Sequence, residues 1–269
     1  MTATGNDQRS EDSLATARDE VERASQHYYH TPLQLGIDNR TKQFVVERCE
    51  PYVRGPRVLE LGYVDGLWTD AILARGGCEV DIVEGAQRHA EHARRRYSGR
   101  HDVRVFHQLF QEFEPTATYD TIVAGDMLRY LPDPAAFLAH ARQWLNDDGH
   151  LIATIPNSRS LHRRIGALMN MEPTPTRANQ RDMEVGNLRS YDRYEFRHLL
   201  LQGGFEVKML RGCFLKPLSS AQMQDWNDEL LRAFLDLGDE LEDYCWFIYA
   251  VCRKGRSATD VAPRKLPLE

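Results

Sequence analysis

The chain has 269 residues, of which 42% are hydrophobic and 28% are charged, a composition typical of a folded globular protein. Its net charge of −6 excludes a globally basic surface of the kind that binds nucleic acid or anionic membranes. The five cysteines are scattered and form no CxxC pair, which disfavours a disulfide framework or a zinc site and predicts a cytoplasmic protein.

The N-terminal residues 1–24 are polar and charged, which predicts a flexible or loosely helical arm. They contain no apolar stretch typical of a signal peptide, and no later segment has the length of a transmembrane helix, so we expect no membrane partner. A helix is predicted over about 36–50, where Pro51 and the Gly55-Pro56 pair end it.

From residue 57 onward, short apolar runs alternate with amphipathic segments. The apolar runs predict strands at 57–61, 79–83, 103–106, 120–124 and 151–155. The amphipathic segments predict helices at 67–75, 86–97 and 134–145, the last closing at Asp148-Gly149. Strands that alternate with helices of this length imply βαβ units and a mainly parallel α/β sheet.

The alternation stops after Pro156, and residues 157–190 are interpreted as an insertion after the fifth strand. The remaining elements are a helix at 192–201, a strand at 205–210, a helix at 221–241 and a strand at 246–252. The helix at 221–241 is predicted from the recurrence of Leu230, Phe234, Leu237 and Leu241. The domain organisation is therefore a flexible arm (1–24), one domain (25–253) with a cap (157–190), and a flexible tail (254–269).

The segment 58–69 combines a buried strand, an acidic residue, a glycine turn and the start of a helix. Gly62 permits a tight turn, and Gly66 lets the backbone approach a ligand closely. The next strand ends at Glu84, about 20 residues further on, where a carboxylate can accept hydrogen bonds from both ribose hydroxyls of an adenosine cofactor. These two features predict an adenosine-cofactor site.

Six segments carry a resemblance to a known family, the first of them within the segment 58–69. The spacing Gly62-x-x-x-Gly66 after Glu60 resembles motif I (E/D-x-G-x-G-x-G) of class I S-adenosylmethionine-dependent methyltransferases, rather than the G-x-G-x-x-G of dinucleotide sites. Residues 119–134 and 144–157 resemble the fDvIv…vLeHv.DP and L.pGG.li…vPN segments of the ubiquinone-biosynthesis-like branch. Residues 160–164, 186–191 and 214–218 resemble a bacterial subgroup of these small-molecule methyltransferases.

This resemblance implies a Rossmann-like, seven-stranded, mainly parallel sheet with flanking helices, and S-adenosylmethionine as the cofactor. It also implies O- or N-methylation of a small molecule, in specialised metabolism. The residues expected to contact the cofactor are Glu60, Gly62, Tyr63, Gly66, Trp68, Thr69, Glu84, Gly85, Gln108, Leu109, Phe110, Asp126 and Met127. Among them, Gln108 is expected to receive the exocyclic amine of adenine, because no Asp is present there.

The chain departs from the family pattern at two positions. Val64 stands where motif I has its middle glycine, which should narrow or reshape the loop. Asn187 stands where the subgroup carries a histidine, so a base supplied by that histidine would be lost in this chain.

Methyl transfer from a sulfonium requires mainly the alignment of donor and acceptor, with a base where the acceptor carries a proton. His162 is the first candidate for that base, with Tyr191 and Asn187 as further catalytic candidates. The expected substrate-binding residues are Tyr28, Tyr29, His30, Tyr130, Asn157 and Arg189. The aromatic residues at 28–30 either close over the sulfonium or only anchor the arm.

Several alternatives stay open. The enzyme could instead cyclise or cleave the aminobutyrate arm of the cofactor and release methylthioadenosine. A non-catalytic binding protein and a nicotinamide-dependent dehydrogenase are further alternatives, and a homodimer is compatible with the sequence. The histidine pairs His27/His30 and His89/His92 have helical spacing but no acidic or cysteine partner nearby in the sequence, so we expect no metal.

Overall fold

The computed structural model of the protein describes residues 4–27, 32–171 and 186–255, with side chains described at 14–26, 36–171 and 186–255. Tyr28, Tyr29 and His30 lie outside the described residues, as do the middle of the predicted insertion and most of the predicted tail.

The strands are β1 (Arg57–Leu61), β2 (Glu79–Glu84), β3 (Val103–His107), β4 (Tyr119–Gly125), β5 (Leu145–Pro156), β6 (Phe205–Cys213) and β7 (Phe247–Lys254). The helices are α1 (Thr4–His27), α2 (Pro32–Cys49), α3 (Leu67–Ala74), α4 (Gln87–Arg96), α5 (Pro134–Ala141), α6 (Leu161–Leu168), α7 (Arg193–Gln202) and α8 (Asp228–Glu240).

The seven strands form one sheet in the order β3-β2-β1-β4-β5-β7-β6. The first five strands are parallel, and β7 runs antiparallel between β5 and β6. This confirms the predicted fold class. The strand order reverses between β1 and β4, and in open α/β sheets ligands bind at the carboxyl ends of the strands beside such a reversal.

Each face of the sheet carries its own hydrophobic core, because side chains alternate along each strand. On one face Leu59 and Ile122 pack with the helices α5 and α7, and on the other Val58 and Val123 pack with α2, α3, α4 and α8. Both faces of the central strands are therefore covered, which explains their nearly continuous apolar sequences.

The N-terminal arm contains a helix. Residues 1–24 were expected to be flexible or loosely helical because of their polarity, and α1 extends over Thr4–His27. The helix packs against the start of α4, so tertiary contacts compensate for its weak apolar pattern.

Two predicted helices end or break earlier than expected. The helix predicted to close at Asp148-Gly149 ends at Ala141. It ends there because Trp144 packs against aromatic rings of the core. Leu145 then already begins β5, where it pairs with Tyr119. The helix predicted over 221–241 is divided into a short turn and α8, whose new start is capped by the Asn227 side chain.

The apolar stripe predicted for the helix at 221–241 is only partly buried. Phe234 packs against the core, whereas Leu230, Leu237 and Leu241 keep 40%, 38% and 40% of their surfaces exposed. Leu231 and Leu235, which the predicted stripe did not include, are buried. None of the helices in the described part of the chain is long and apolar enough to cross a membrane.

Candidate active site

A cavity of about 500 Å³ lies at the carboxyl ends of the parallel strands, beside the reversal between β1 and β4. The loops after β1, β2, β3 and β4 form part of its wall, to which α1, α2, the start of α3 and residues 186–188 also contribute. Thr154 of β5 and Phe247 of β7 line it as well. Its volume falls in the range of about 300–1,000 Å³ that is usual for small-molecule sites.

The loop after β1 has a left-handed backbone at three alternate residues. The φ angles are 87° at Gly62, 49° at Val64 and 86° at Gly66. A Cβ at Gly66 would lie 2.8 Å from the Tyr97 hydroxyl oxygen and 2.9 Å from that of Tyr63, so only glycine fits there. Val64 retains the backbone conformation that a glycine at this position would adopt, although a β-branched side chain disfavours it.

We expect Val64→Gly to stabilise the fold by about 0.5–1 kcal/mol, because relief of the left-handed strain exceeds the entropy that glycine adds to the unfolded chain. The measurement is the free energy of unfolding in denaturant. Val64→Ala is the matched control, because alanine keeps a Cβ and therefore most of the strain. Equal stabilisation by both variants would contradict this explanation.

Glu84 lies at the end of β2 with its carboxylate held by backbone amides. Its Oε2 accepts hydrogen bonds from the amides of Tyr63 (2.9 Å) and Val64 (3.4 Å), and its Oε1 accepts one from the amide of Ala86 (2.8 Å). A carboxylate offers about four lone-pair positions, so these bonds orient Glu84 and leave acceptor capacity towards the cavity that it lines. This arrangement fits the hydroxyls of a ribose.

Glu60 and Thr69 lie beneath the loop and do not line the cavity described here. The Thr69 hydroxyl donates a hydrogen bond to Glu60 Oε2, while Oε1 has no hydrogen-bond partner among the described residues. Burial raises the pKa of Glu60 well above its usual range. The pair therefore supports the loop from behind, and the predicted contact of both residues with the cofactor stays a prediction.

The raised pKa of Glu60 makes stability depend on pH. The folded state holds the proton more tightly than the unfolded state, so stability should fall as pH rises above the ordinary carboxylate value towards the folded pKa. We expect Glu60→Gln to remove this decline and to be more stable than the parent by about 1–2 kcal/mol at pH 8. Melting temperatures between about pH 5 and pH 8 test this, with Glu79→Gln, an exposed position on β2, as the control.

The segment after β3 supplies apolar side chains to the cavity. Leu109 and Phe110 line it, as expected for residues that flank an adenine ring. Gln108 is exposed and does not line the cavity, because a 3-10 turn starting after Leu109 brings Gln111 to the wall instead. Gln111 thus replaces Gln108 as the candidate for the exocyclic amine.

The loop after β4 presents a carboxylate and a phenol held by one guanidinium. One nitrogen of Arg129 donates hydrogen bonds to Asp126 Oδ2 (2.8 Å) and to Tyr130 Oη (2.9 Å). Asp126 has a left-handed backbone with φ of 59°, a conformation that tends to occur at functional sites. Asp126, Met127 and Tyr130 all line the cavity, as expected.

Of the three catalytic candidates, only Asn187 lines the cavity. The His162 ring lies edge-on to Trp246, with ring centroids 6.4 Å apart, and its backbone amide binds the Lys216 carbonyl. Tyr191 is buried, its backbone forms a bridge with Asn157, and burial raises the pKa of its phenol. His162 and Tyr191 are not among the residues that line the cavity, so their catalytic roles stay predictions.

Two expected substrate-binding residues have structural roles. The Asn157 side-chain amide donates to the carbonyls of Asp243 (3.0 Å) and Cys245 (2.9 Å). Arg189 donates to the carbonyls of Leu131 (2.5 Å) and Pro132 (2.6 Å), and so fixes the loop after β4. Neither side chain lines the cavity.

Several other residues that were expected to contact the cofactor line the wall of the cavity. Some residues of this wall were not predicted from the sequence. Gly62, Tyr63, Trp68 and Gly85 line the cavity as expected, whereas Gly66 contributes through the shape of the loop. The residues that sequence reasoning missed include His89, Asp65 and the contributions of α1 and α2: Ala17, Glu20, Val21, Arg23, Ala24, Ser25, Lys42, Val45 and Val46. A signal for α1 exists in the spacing of Leu14, Ala17, Val21 and Ala24, which share one helical face.

Burial lowers the pKa of His89, which lies 3.8 Å from the Glu84 carboxylate. Within the described residues, no group of three or more His, Cys, Asp or Glu side chains is arranged to hold a metal ion. The wall therefore offers carboxylates, the phenols of Tyr63 and Tyr130, the His89 imidazole, the cationic side chains of Arg23 and Lys42, amides and apolar side chains.

Comparison with known proteins gives one family match. A family model described as "Methyltransferase domain" matches residues 26–209, and no curated protein matches the chain. Among solved structures, the chain is similar to the plantazolicin methyltransferase BpumL in complex with SAH, with a TM-score of 0.56, 13% identity, and coverage of 91% of this chain and 99% of that one. It is also similar to the N-methyltransferase NodS from Bradyrhizobium japonicum WM9 in complex with S-adenosyl-L-homocysteine (TM-score 0.54, 12% identity, 91% and 99% coverage). At these identities the likeness shows a shared fold.

Proposed function

The chain belongs to the methyltransferase-domain family, and from this premise we propose that it methylates an oxygen or nitrogen atom of a small-molecule acceptor in specialised metabolism. The protein is an S-adenosylmethionine-dependent methyltransferase. The cofactor supplies an activated methyl group for direct displacement, so the protein's main contribution is alignment within an enclosed site.

The order of the strands indicates which end of the cavity receives the acceptor. Glu84 at the end of β2 suits the ribose, and Leu109 and Phe110 one strand further out suit the adenine. The reacting end of the cofactor then points the other way, towards β4 and β5. Asp126, Tyr130 and Asn187 line that part of the wall, and we infer that they contact the acceptor.

The observation that carries the proposal is this group of three polar side chains at one part of the wall. Met127, Leu131 and Leu188 line the cavity as well, which suits a small, partly apolar acceptor with one polar reacting atom. Arg129 orients the Asp126 carboxylate, which can accept a proton from a hydroxyl or amine nucleophile. This step requires no histidine base.

Incubation of the purified protein with methyl-labelled S-adenosylmethionine and a panel of small phenols, amines and carboxylic acids tests the proposal. We expect formation of S-adenosylhomocysteine only with a suitable acceptor, and transfer of the label to it. Release of methylthioadenosine in the absence of any acceptor would instead support a reaction of the aminobutyrate arm.

A further inference from the structure

Helix α1 lies almost entirely outside the family match, yet it forms part of the cofactor cavity. The match begins at residue 26, and α1 covers Thr4–His27. Six of its residues line the cavity: Ala17, Glu20, Val21, Arg23, Ala24 and Ser25. The wall of the cavity is therefore completed by a helix that lies before the matched domain.

The side chain of Glu22 fastens α1 to the start of α4. Glu22 Oε1 accepts a hydrogen bond of 2.6 Å from the backbone amide of Gln87, the first residue of α4. The residue before it, Ala86, provides no side-chain cap, so a carboxylate from another helix satisfies this amide. A negative charge is favourable at that position because the amide groups and the dipole of a helix N-terminus attract it.

This contact lies directly beside the residues expected to bind the ribose. Glu84 accepts a hydrogen bond from the amide of Ala86, and Glu22 accepts one from the next amide along the chain. The two carboxylates therefore hold consecutive amides, Glu84 from the end of β2 and Glu22 from α1. Detachment of Glu22 would separate α1 from the segment that carries Gly85 and Ala86.

The packing of α1 is close at two glycines on different parts of the wall. A Cβ on Gly85 would lie 3.2 Å from Val21 Cγ1, and a Cβ on Gly186 would lie 3.3 Å from the Ala24 Cβ. An exposed ion pair between Arg18 and Glu112 (2.6 Å) adds a further contact, of the kind that contributes little. α1 thus connects the end of β2 with the segment that follows the insertion.

We propose that α1 is a strap that retains the cofactor, and that Glu22 is the positioning residue that holds this strap closed. Cofactor release requires α1 to leave Gly85, and the hydrogen bond of Glu22 opposes that movement. The dissociation rate of the cofactor product should therefore depend on Glu22, although this side chain is not among those that line the cavity.

The experiment uses the full chain and S-adenosylhomocysteine as the probe. Calorimetry gives the Kd, and stopped-flow fluorescence, with Trp68 at the cavity wall as a reporter, gives the dissociation rate. We expect Glu22→Ala to raise the Kd and the dissociation rate about tenfold. Glu22→Gln should lie between Glu22→Ala and the parent, because its amide oxygen still accepts the hydrogen bond but carries no charge.

Asp19→Ala is the matched control, because Asp19 is an exposed acid on the same helix without a hydrogen bond or ion pair to any described residue. It should bind like the parent. Trypsin cleavage after Arg18 and Arg23 tests whether α1 retains the cofactor or has only a structural role. S-adenosylhomocysteine should slow this cleavage in the parent and in Asp19→Ala. It should slow the cleavage much less in Glu22→Ala. Parental binding and dissociation rates in Glu22→Ala, or equal trypsin protection in all variants, would overturn the proposal.

Discussion

Glu84→Ala is expected to weaken the binding of S-adenosylhomocysteine by about a hundredfold or more, because two charge-assisted hydrogen bonds to the ribose are lost. The variant also removes the acceptor for the amides of Tyr63 and Ala86, so the loop after β1 loses its fixed position. Both effects act on the cofactor, and neither involves the hydrophobic cores. Calorimetric titration with S-adenosylhomocysteine is the measurement.

Two control variants separate these effects. Glu84→Gln retains oxygen and shape but lacks the charge, so we expect an intermediate loss of affinity. Glu79→Ala removes an exposed carboxylate from the start of the same strand and should bind like the parent. Parental affinity in Glu84→Ala would show that the ribose is bound elsewhere and would remove the basis for orienting the cofactor across the sheet.

The parallel part of the sheet could be predicted from sequence because its pattern is local. A run such as Thr121-Ile122-Val123-Ala124 is apolar on both faces, and each such run is followed by an amphipathic helix. The exact ends of the helices and strands depend on tertiary contacts, which a local sequence pattern does not show. Leu145 joins β5 because it pairs with Tyr119, although the sequence around it continues a helical pattern up to Gly149.

The same distinction applies to the site. The loop after β1 and Glu84 could be predicted because a glycine turn after a strand and a carboxylate after the next strand must meet at one edge of a parallel sheet. His162 could not be placed, because its position depends on packing against Trp246, which lies just before β7 and far away in the sequence. The contribution of α1 was missed for a similar reason: its few apolar residues become significant only when the helix lies across the cavity.

Gly66→Ala is expected to abolish detectable binding of S-adenosylhomocysteine and to lower the melting temperature. The added Cβ would meet the hydroxyls of Tyr97 and Tyr63 at 2.8 Å and 2.9 Å, and alanine disfavours the φ of 86° by about 1–2 kcal/mol. Tyr63 lines the cavity, so its displacement would change the cofactor wall directly.

Gly76→Ala is the matched control for this prediction, because Gly76 has a similar φ of 72° but no atom within 4 Å of its added Cβ. It should lose stability through backbone strain alone and keep the parental affinity. Calorimetry and thermal melting on both variants therefore divide the effect into strain, which the two share, and the steric clash, which belongs to Gly66. If Gly66→Ala binds S-adenosylhomocysteine as well as Gly76→Ala does, the close packing of the loop against the two tyrosines is not what shapes the cofactor site.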